Sequence, residues 1–297
     1  MNGFVNLLKP AGMTSSDAVL CVKKMLPRKT AVGHGGTLDP DAAGVLPICV
    51  GKATRLFNYI IDKEKTYIGE LSLGVTTTTD DAGGEILEVK PVNVTEDDVK
   101  AVLSRFTGDI MQVPPMFSAL KRDGVALYKL ARKGETIELE SRPVHVESIE
   151  LIGKNGENRF LLKIICGKGT YIRSLMRDIG AALGCGGHMS FLMRSASGVF
   201  DCADAYTIEE LRAAESLETL LVPMDAPLIR FPEVRVKEEY RSKVINGVPL
   251  SAEMLDGEIP DGNESIKLYC GTDFAGMGEK TEEGSIRIKC MLLETGK

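Results

Sequence analysis

Two strand-like runs, Val144 to Ile152 and Phe160 to Cys166, flank the turn residues Gly153-Lys154-Asn155-Gly156. So short a link returns the chain beside itself, which makes the two runs an antiparallel hairpin. Further strand-like runs are Gly3 to Leu8, Leu46 to Val50, Thr66 to Leu73, a segment ending near Val89, and one from His188 to Met193 or beyond. Helical patterns lie between them. Thr14-Ser15-Ser16-Asp17 caps a helix that Pro27 stops after Leu26, and Ala53 to Ile61 reads as another. Thr95 to Phe106, with Val99, Val102, Leu103 and Phe106 on one stripe, Tyr171 to Leu183 and Thr207 to Ala214 complete the set.

Residues 113 to 143 break the rhythm with Pro114-Pro115, a basic turn, a short helix from Leu127 to Arg132 and polar chain, and read as an insertion on the core. Prolines 223, 227 and 232 mark a domain boundary. Beyond it, a helix from Glu238 to Ile245 and strands Ser265 to Cys270, Thr272 to Gly278 and Ser285 to Leu292 give a small β-barrel pattern.

The net charge of −6 argues against a nucleic-acid partner, but it conceals a segregation. Residues 1 to 59 carry seven basic and three acidic side chains, a net +4, and residues 116 to 133 carry five and one, again +4. Residues 201 to 240 carry four and ten, a net −6. Two basic patches with an acidic back suit a phosphate-binding face, and solvated surface charge suits the same numbers. No apolar run approaches the roughly 20 residues of a membrane span, and Lys9-Pro10 interrupts what would be a signal-peptide core, so a cytoplasmic protein is expected. Seven scattered cysteines without a C-x-x-C pair, and three histidines at no zinc spacing, predict buried thiols and no metal.

The most unusual stretch is Gly33-His34-Gly35-Gly36-Thr37-Leu38-Asp39-Pro40. Glycines let such a loop lie against a ligand while projecting His34 and Asp39; equally, Asp39 is a normal turn residue before proline. The pattern is neither a phosphate loop nor a dinucleotide fingerprint, and no nucleophile–histidine pairing suggests acyl transfer. A lone carboxylate remains, suited to attack on, or stabilisation of, sugar and nucleoside centres. Lys168-Gly-Thr-Tyr171-Ile-Arg173 stands at a strand-to-helix junction, where Tyr171 and Arg173 either enter one cleft or are ordinary helix-start residues.

Taken together the chain resembles the TruB family of tRNA pseudouridine synthases. The matching segments run from Val5-Asn-Leu-Leu-Lys9-Pro through Gly33 to Pro47, Lys65-Thr-Tyr67, Pro114 to Lys121, and Lys168 to Arg173, to Gly187-His-Met-Ser-Phe-Leu192-Met-Arg194. They keep family order and spacing over about the first 200 residues, and Phe274 to Gly278 is similar to the family's PUA-type tail. Gly35, Thr78 and Val125-Ala126 depart from residues common in the family.

The resemblance implies an α+β pseudouridine-synthase fold with a central mixed, mainly antiparallel sheet flanked by helices. It implies a catalytic domain over 1–228, with the RNA-clamping insertion at about 113–143, and a PUA-like barrel over 229–297. The activity it implies is conversion of uridine 55 in the T loop of tRNA to pseudouridine by base flipping, without cofactor. Asp39 would be the catalytic carboxylate, attacking the nucleoside as a nucleophile or promoting elimination across its sugar, Arg173 its partner, favouring the carboxylate form, and Tyr171 the group that takes or relays the carbon 5 proton. Lys9, Tyr67, Asp81 and Leu192 would line or brace the pocket, His34 would take the space vacated by the base, and Lys121, Arg122, Lys129 and Arg132 would contact RNA. The expected partner is the T arm of tRNA, with no membrane and no obligate protein partner, the chain acting as a monomer. Other readings are a guide-RNA particle subunit, disfavoured by the lack of a basic terminal extension, a tRNA-folding helper with secondary catalysis, and a nucleoside glycosylase.

Overall fold

The computed structural model describes residues 1–294 apart from 62, 63, 119, 123, 132, 136 and 263, and it leaves out the side chains of 121, 122, 126 and 128. Its main sheet is built on β1 (Gly3–Lys9), β2 (Ala43–Val50), β3 (Lys65–Leu73), β4 (Gly108–Gln112), β5 (Arg142–Lys154), β6 (Arg159–Cys166) and β7 (Gly187–Ser197). In space they run β1-β2-β7-β3-β6-β5-β4. Neighbours are antiparallel except β2 and β7, which run parallel with Met193 opposite Ala43 and Arg194 opposite Gly44. The hairpin legible in the sequence is β5–β6, and alternation turns Val146, Phe160, Leu162 and Ile164 fully inward. The sheet is therefore mixed and mainly antiparallel, as the resemblance implied.

Helices α1 (Ser15–Lys24), α2 (Glu96–Leu103), α3 (Ile172–Ala182) and α4 (Ile208–Ala213) pack around it. Three of these open with complete capping boxes, Thr14 with Asp17, Thr95 with Asp98 and Thr207 with Glu210, which is why their starts were readable. Helix α3 buries Ile172, Leu175, Met176 and Ile179 in the cluster that holds Leu71, Leu162 and Leu192. Each such side chain contributes about 2 kcal/mol, more than a surface ion pair, so apolar packing fixes α3 over the middle of the sheet.

Local expectations differ in places from what is observed. The helix read over Ala53 to Ile61 is a 3-10 turn, Gly51–Leu56, followed by a short α-helix, Phe57–Ile61, and that read over Glu238 to Ile245 is a 3-10 turn, Glu238–Tyr240, followed by a short α-helix, Arg241–Ile245. Thr54 Oγ1 donates to the Gly51 carbonyl at 2.8 Å and competes for the acceptor an α-turn would use. Strand β4 was not anticipated, because Gly108 and Asp109 are poor strand formers and the strand is half exposed at the sheet edge.

The C-terminal unit contains β8 (Glu233–Val236), β9 (Leu255–Asp256), β10 (Ser265–Cys270), β11 (Asp273–Lys280) and β12 (Ile286–Met291), ordered β9-β8-β10-β11-β12. Leu250, just ahead of β9, pairs with Ile286 on the opposite edge, so the chain from 250 to 256 touches both edges and curls the sheet toward closure. The unit docks through Met277, Cys290 and Leu292, which share a cluster with Phe4, Val45 and Leu56. Lys52 Nζ donates to the Leu292 carbonyl and Arg55 Nη1 to that of Met291, each at 2.8 Å. Among the described residues no helix is long and apolar enough to cross a membrane.

Candidate active site

Asp39 lies in the loop between a three-residue strand, Val32–His34, and β2, and the backbone on either side of it is tied down. The buried Ser15 hydroxyl accepts from the Leu38 N–H at 2.9 Å and donates to the Leu38 carbonyl at 3.0 Å. On the other side the Pro40 carbonyl accepts from the Gly12 N–H at 3.0 Å and from Lys9 Nζ at 3.1 Å. Lys9 is fully buried, and its ammonium also donates to the carbonyls of Pro10 and Met13 at 2.8 and 2.6 Å. Burial lowers its pKa to about 8, against the nearby carboxylates of Asp41 and Asp39.

The Asp39 side chain keeps 40% of its surface exposed, whereas that of Arg173, in the first turn of α3, keeps 6%. Arg173 grips the carboxylate with both ends of its fork, Nε to Oδ2 at 2.9 Å and Nη2 to Oδ1 at 3.3 Å. Its remaining donors reach Asp81 Oδ2 at 3.6 Å, the Thr79 carbonyl at 3.2 Å and the Phe117 carbonyl at 2.8 Å. One guanidinium thus joins the Asp39 loop, the Asp80–Asp81 loop and the start of the 113–143 segment. Burial raises the Asp39 pKa, with Asp81 and Asp41 adding to it and Arg173 pulling the other way. The expected preference for the carboxylate form is therefore present as a pull from Arg173 that burial outweighs.

A second aspartate–arginine pair stands beside the first. Arg177, one helical turn after Arg173, holds Asp80 Oδ2 at 2.8 Å and donates to the Val113 carbonyl at 3.1 Å. Tyr171 is the N-cap of α3, and burial raises its phenol pKa, so it carries its proton at neutral pH. Tyr67 on β3 and Leu192 on β7 are buried in the same core cluster. Burial likewise raises the Tyr67 phenol. His34, on its short strand, has a buried Nδ1 with no partner among the described residues, and burial together with Arg194 keeps it neutral.

Arg194 was missed as a site residue. It is 1% exposed, donates from Nε to the Val45 carbonyl at 2.7 Å and from Nη2 to that of Gly36 at 3.1 Å, and so props the glycine loop from beneath. A charged residue in the apolar run of β7 was its one visible signal. Gln112, Asp80 and Arg177 were missed as well. Of the expected RNA contacts, Lys129 is exposed on the short helix Leu127–Ala131, while Arg132 and the side chains of Lys121 and Arg122 lie outside the described residues. Among the described residues no cluster of His, Cys, Asp and Glu could hold a metal ion. The chemistry available is that of a partly exposed carboxylate, aimed by arginine, beside two protonated phenols.

Residues 23–172 match the family model described as TruB family pseudouridylate synthase (N terminal domain), and residues 173–229 match tRNA pseudouridylate synthase B C-terminal domain. The chain is 45% identical to tRNA pseudouridine synthase B of Alkaliphilus oremlandii over 99% of both chains. It is 43% identical to the enzyme of the same name from Azoarcus sp., covering 100% of this chain and 97% of that one. Among solved structures, a Cbf5-Nop10-Gar1 complex matches with a TM-score of 0.75 and 27% identity over 97% of this chain and 84% of the other. An H/ACA RNP bound to a substrate RNA containing 2'-deoxyuridine matches with a TM-score of 0.76 and 25% identity, over 98% and 85%.

Proposed function

The chain belongs to the TruB family of pseudouridylate synthases, and from that membership we propose that it converts the uridine at position 55 in the T loop of tRNA to pseudouridine. The observation that carries this reading is the two-pronged grip of Arg173 on a carboxylate that stays partly open to solvent. A target uridine stacked in the T arm must be flipped out to reach Asp39, at a cost of a few kcal/mol that contacts in the pocket offset. Tyr67 supplies an aromatic face for the uracil, where stacking contributes about 1–3 kcal/mol. Leu192 closes the floor and His34 fills space left in the loop.

Asp39 attacks carbon 1′ of the ribose, forming an ester as the N-glycosidic bond breaks and the uracil leaves as its anion; the base then turns, its carbon 5 displaces the carboxylate from carbon 1′, and carbon 5 gives up its proton to restore the ring. Tyr171, protonated and beside the carboxylate, suits a relay role, passing on the carbon 5 proton and not storing it. Arg173 and Asp81 hold charge balance, and Lys9 braces the loop through Pro40. Catalysis occupies residues 1–228, the 113–143 segment clamps the T arm, and the barrel-like unit of 229–297 extends contact as a PUA-like RNA-binding domain. One monomer serves one tRNA, in the cytoplasm, with no obligate protein partner and no cofactor. Incubation with an unmodified tRNA transcript, followed by pseudouridine mapping, tests the assignment: product at the T-loop uridine supports it, and product elsewhere or none overturns it.

A further inference from the structure

Helix α3 carries Tyr171 and Arg173, yet unlike α1, α2 and α4 it has no cap of its own: Tyr171 makes no side-chain cap bond. A tyrosine ring cannot fold back onto the amides of its own first turn as serine or threonine does. One of the two groups a capping box would satisfy, the N-cap N–H, is met instead from β4. Gln112, the last residue of that edge strand and 2% exposed, accepts from the Tyr171 N–H through Oε1 at 2.8 Å and donates from Nε2 to the Tyr171 carbonyl at 3.1 Å. In an ordinary capping box the glutamine at the third helical position accepts from the N-cap N–H. Here that position is Ser174, whose hydroxyl donates to the Val113 carbonyl at 2.9 Å, and Gln112 takes the glutamine's part from another strand.

The contacts continue along the same stretch of chain. Arg177 donates to the Val113 carbonyl and Arg173 to that of Phe117, so residues 112 to 117 meet α3 at Tyr171, Arg173, Ser174 and Arg177. A primary amide that bonds both polar groups of one peptide neighbour allows a single orientation, which fixes the placement of that residue. Tyr171 and the Asp39-gripping fork of Arg173 are two residues apart on the helix so fixed.

We propose that Gln112 is a positioning residue for the isomerisation, capping α3 from outside and setting the placement of Tyr171 and Arg173. The assignment rests on the pseudouridine synthase reading above. It ties the stem of the 113–143 segment to the catalytic helix, and the Phe117 carbonyl accepts from the same Arg173 that holds Asp39.

The test uses full-length Gln112→Met, which removes both bonds at similar volume, and Gln112→Glu, which keeps the acceptor for the Tyr171 N–H and loses the donor. Single-turnover tritium release from tRNA transcripts labelled at carbon 5 of uridine is measured beside RNA affinity by filter binding and folding by circular dichroism. Displacement of a reacting group by about 1 Å costs up to about a hundredfold in rate. The expected result is a loss of about thirtyfold or more in Gln112→Met, an intermediate rate in Gln112→Glu, and RNA affinity within about twofold of wild type in both. Wild-type rates in folded variants overturn the proposal, as does a loss of rate matched by an equal loss of RNA affinity. If Gln112→Met does not fold, the same comparison in Gln112→Glu decides. A wild type inert on every transcript overturns the synthase reading and this one with it, whereas an active wild type with indifferent variants overturns this one alone.

Discussion

Arg173 Nε stands 2.9 Å from Asp39 Oδ2, and the same guanidinium reaches Asp81 at 3.6 Å, so one buried cation serves two carboxylates from separate loops. Replacing it with methionine leaves Asp39 unaimed and Asp81 without this cation. Because two-pronged recognition needs the planar fork, lysine does not substitute. Arg173→Met is expected to lower the single-turnover rate by about a hundredfold or more, and Arg173→Lys to recover little of it. Rate measurements with saturating enzyme check this, and full activity in either variant contradicts it.

In the proposed mechanism the acid limb of the reaction belongs to Asp39. Its pKa is raised above the ordinary 3.8 by burial against the opposing pull of Arg173, and only the ionised form attacks. The rate therefore falls as pH drops through a midpoint above 3.8, and removing Arg173 moves that midpoint higher still. A pH profile of single-turnover rates in wild type and Arg173→Met reads both, and a midpoint that moves down in the variant contradicts the assignment.

Lys9 ties stability to alkaline pH. It gives up its proton near 8 in the fold and near 10.5 in the unfolded chain, so between those values the unfolded state binds more protons. This group's contribution to stability accordingly rises with pH across that window. The difference in melting temperature between wild type and Lys9→Met should grow in favour of wild type from pH 8 to pH 10. A constant difference would show that Lys9 titrates normally.

Gly44 marks where β2 and β7 meet in parallel. Its φ is +116°, and a Cβ there would lie 2.2 Å from the Arg194 carbonyl oxygen, so both strain and backbone collision oppose a side chain. Gly44→Ala is expected to destabilise by about 3 kcal/mol or more, visible in urea titration. An unchanged midpoint contradicts this account of the junction.

Much of this architecture was legible because its signals are local. The capping boxes at Thr14, Thr95 and Thr207, the β5–β6 hairpin, and the ordered segments holding Asp39, Tyr67, Tyr171 and Arg173 each sit within a few residues of one another or in family order. What escaped reading is made of contacts between distant segments. Gln112 meets Tyr171 across 59 residues and Arg194 meets Gly36 across 158; Gln112 has no local signal of such a role, and the charge of Arg194 in an apolar run does not say what it holds. Strand β4 escaped because an exposed edge needs no apolar run, and the 3-10 turn at Gly51–Leu56 because one threonine hydroxyl decided it.

Tyr171→Phe removes only the hydroxyl. With the ring and the backbone bonds to Gln112 kept, RNA binding should hold within about twofold while turnover falls by about a hundredfold or more, the usual range for a lost proton relay. Activity close to wild type would assign the proton to another group.

The central claim, that Asp39 isomerises one T-loop uridine, is tested most directly by tritium release from carbon 5-labelled tRNA transcripts with wild type and Asp39→Ala, the released position being mapped in the product. Release from that single position by wild type, abolished in Asp39→Ala although the variant still binds tRNA, is the predicted result. Undiminished release by Asp39→Ala, or tight binding by wild type with no release from any tRNA, would contradict it.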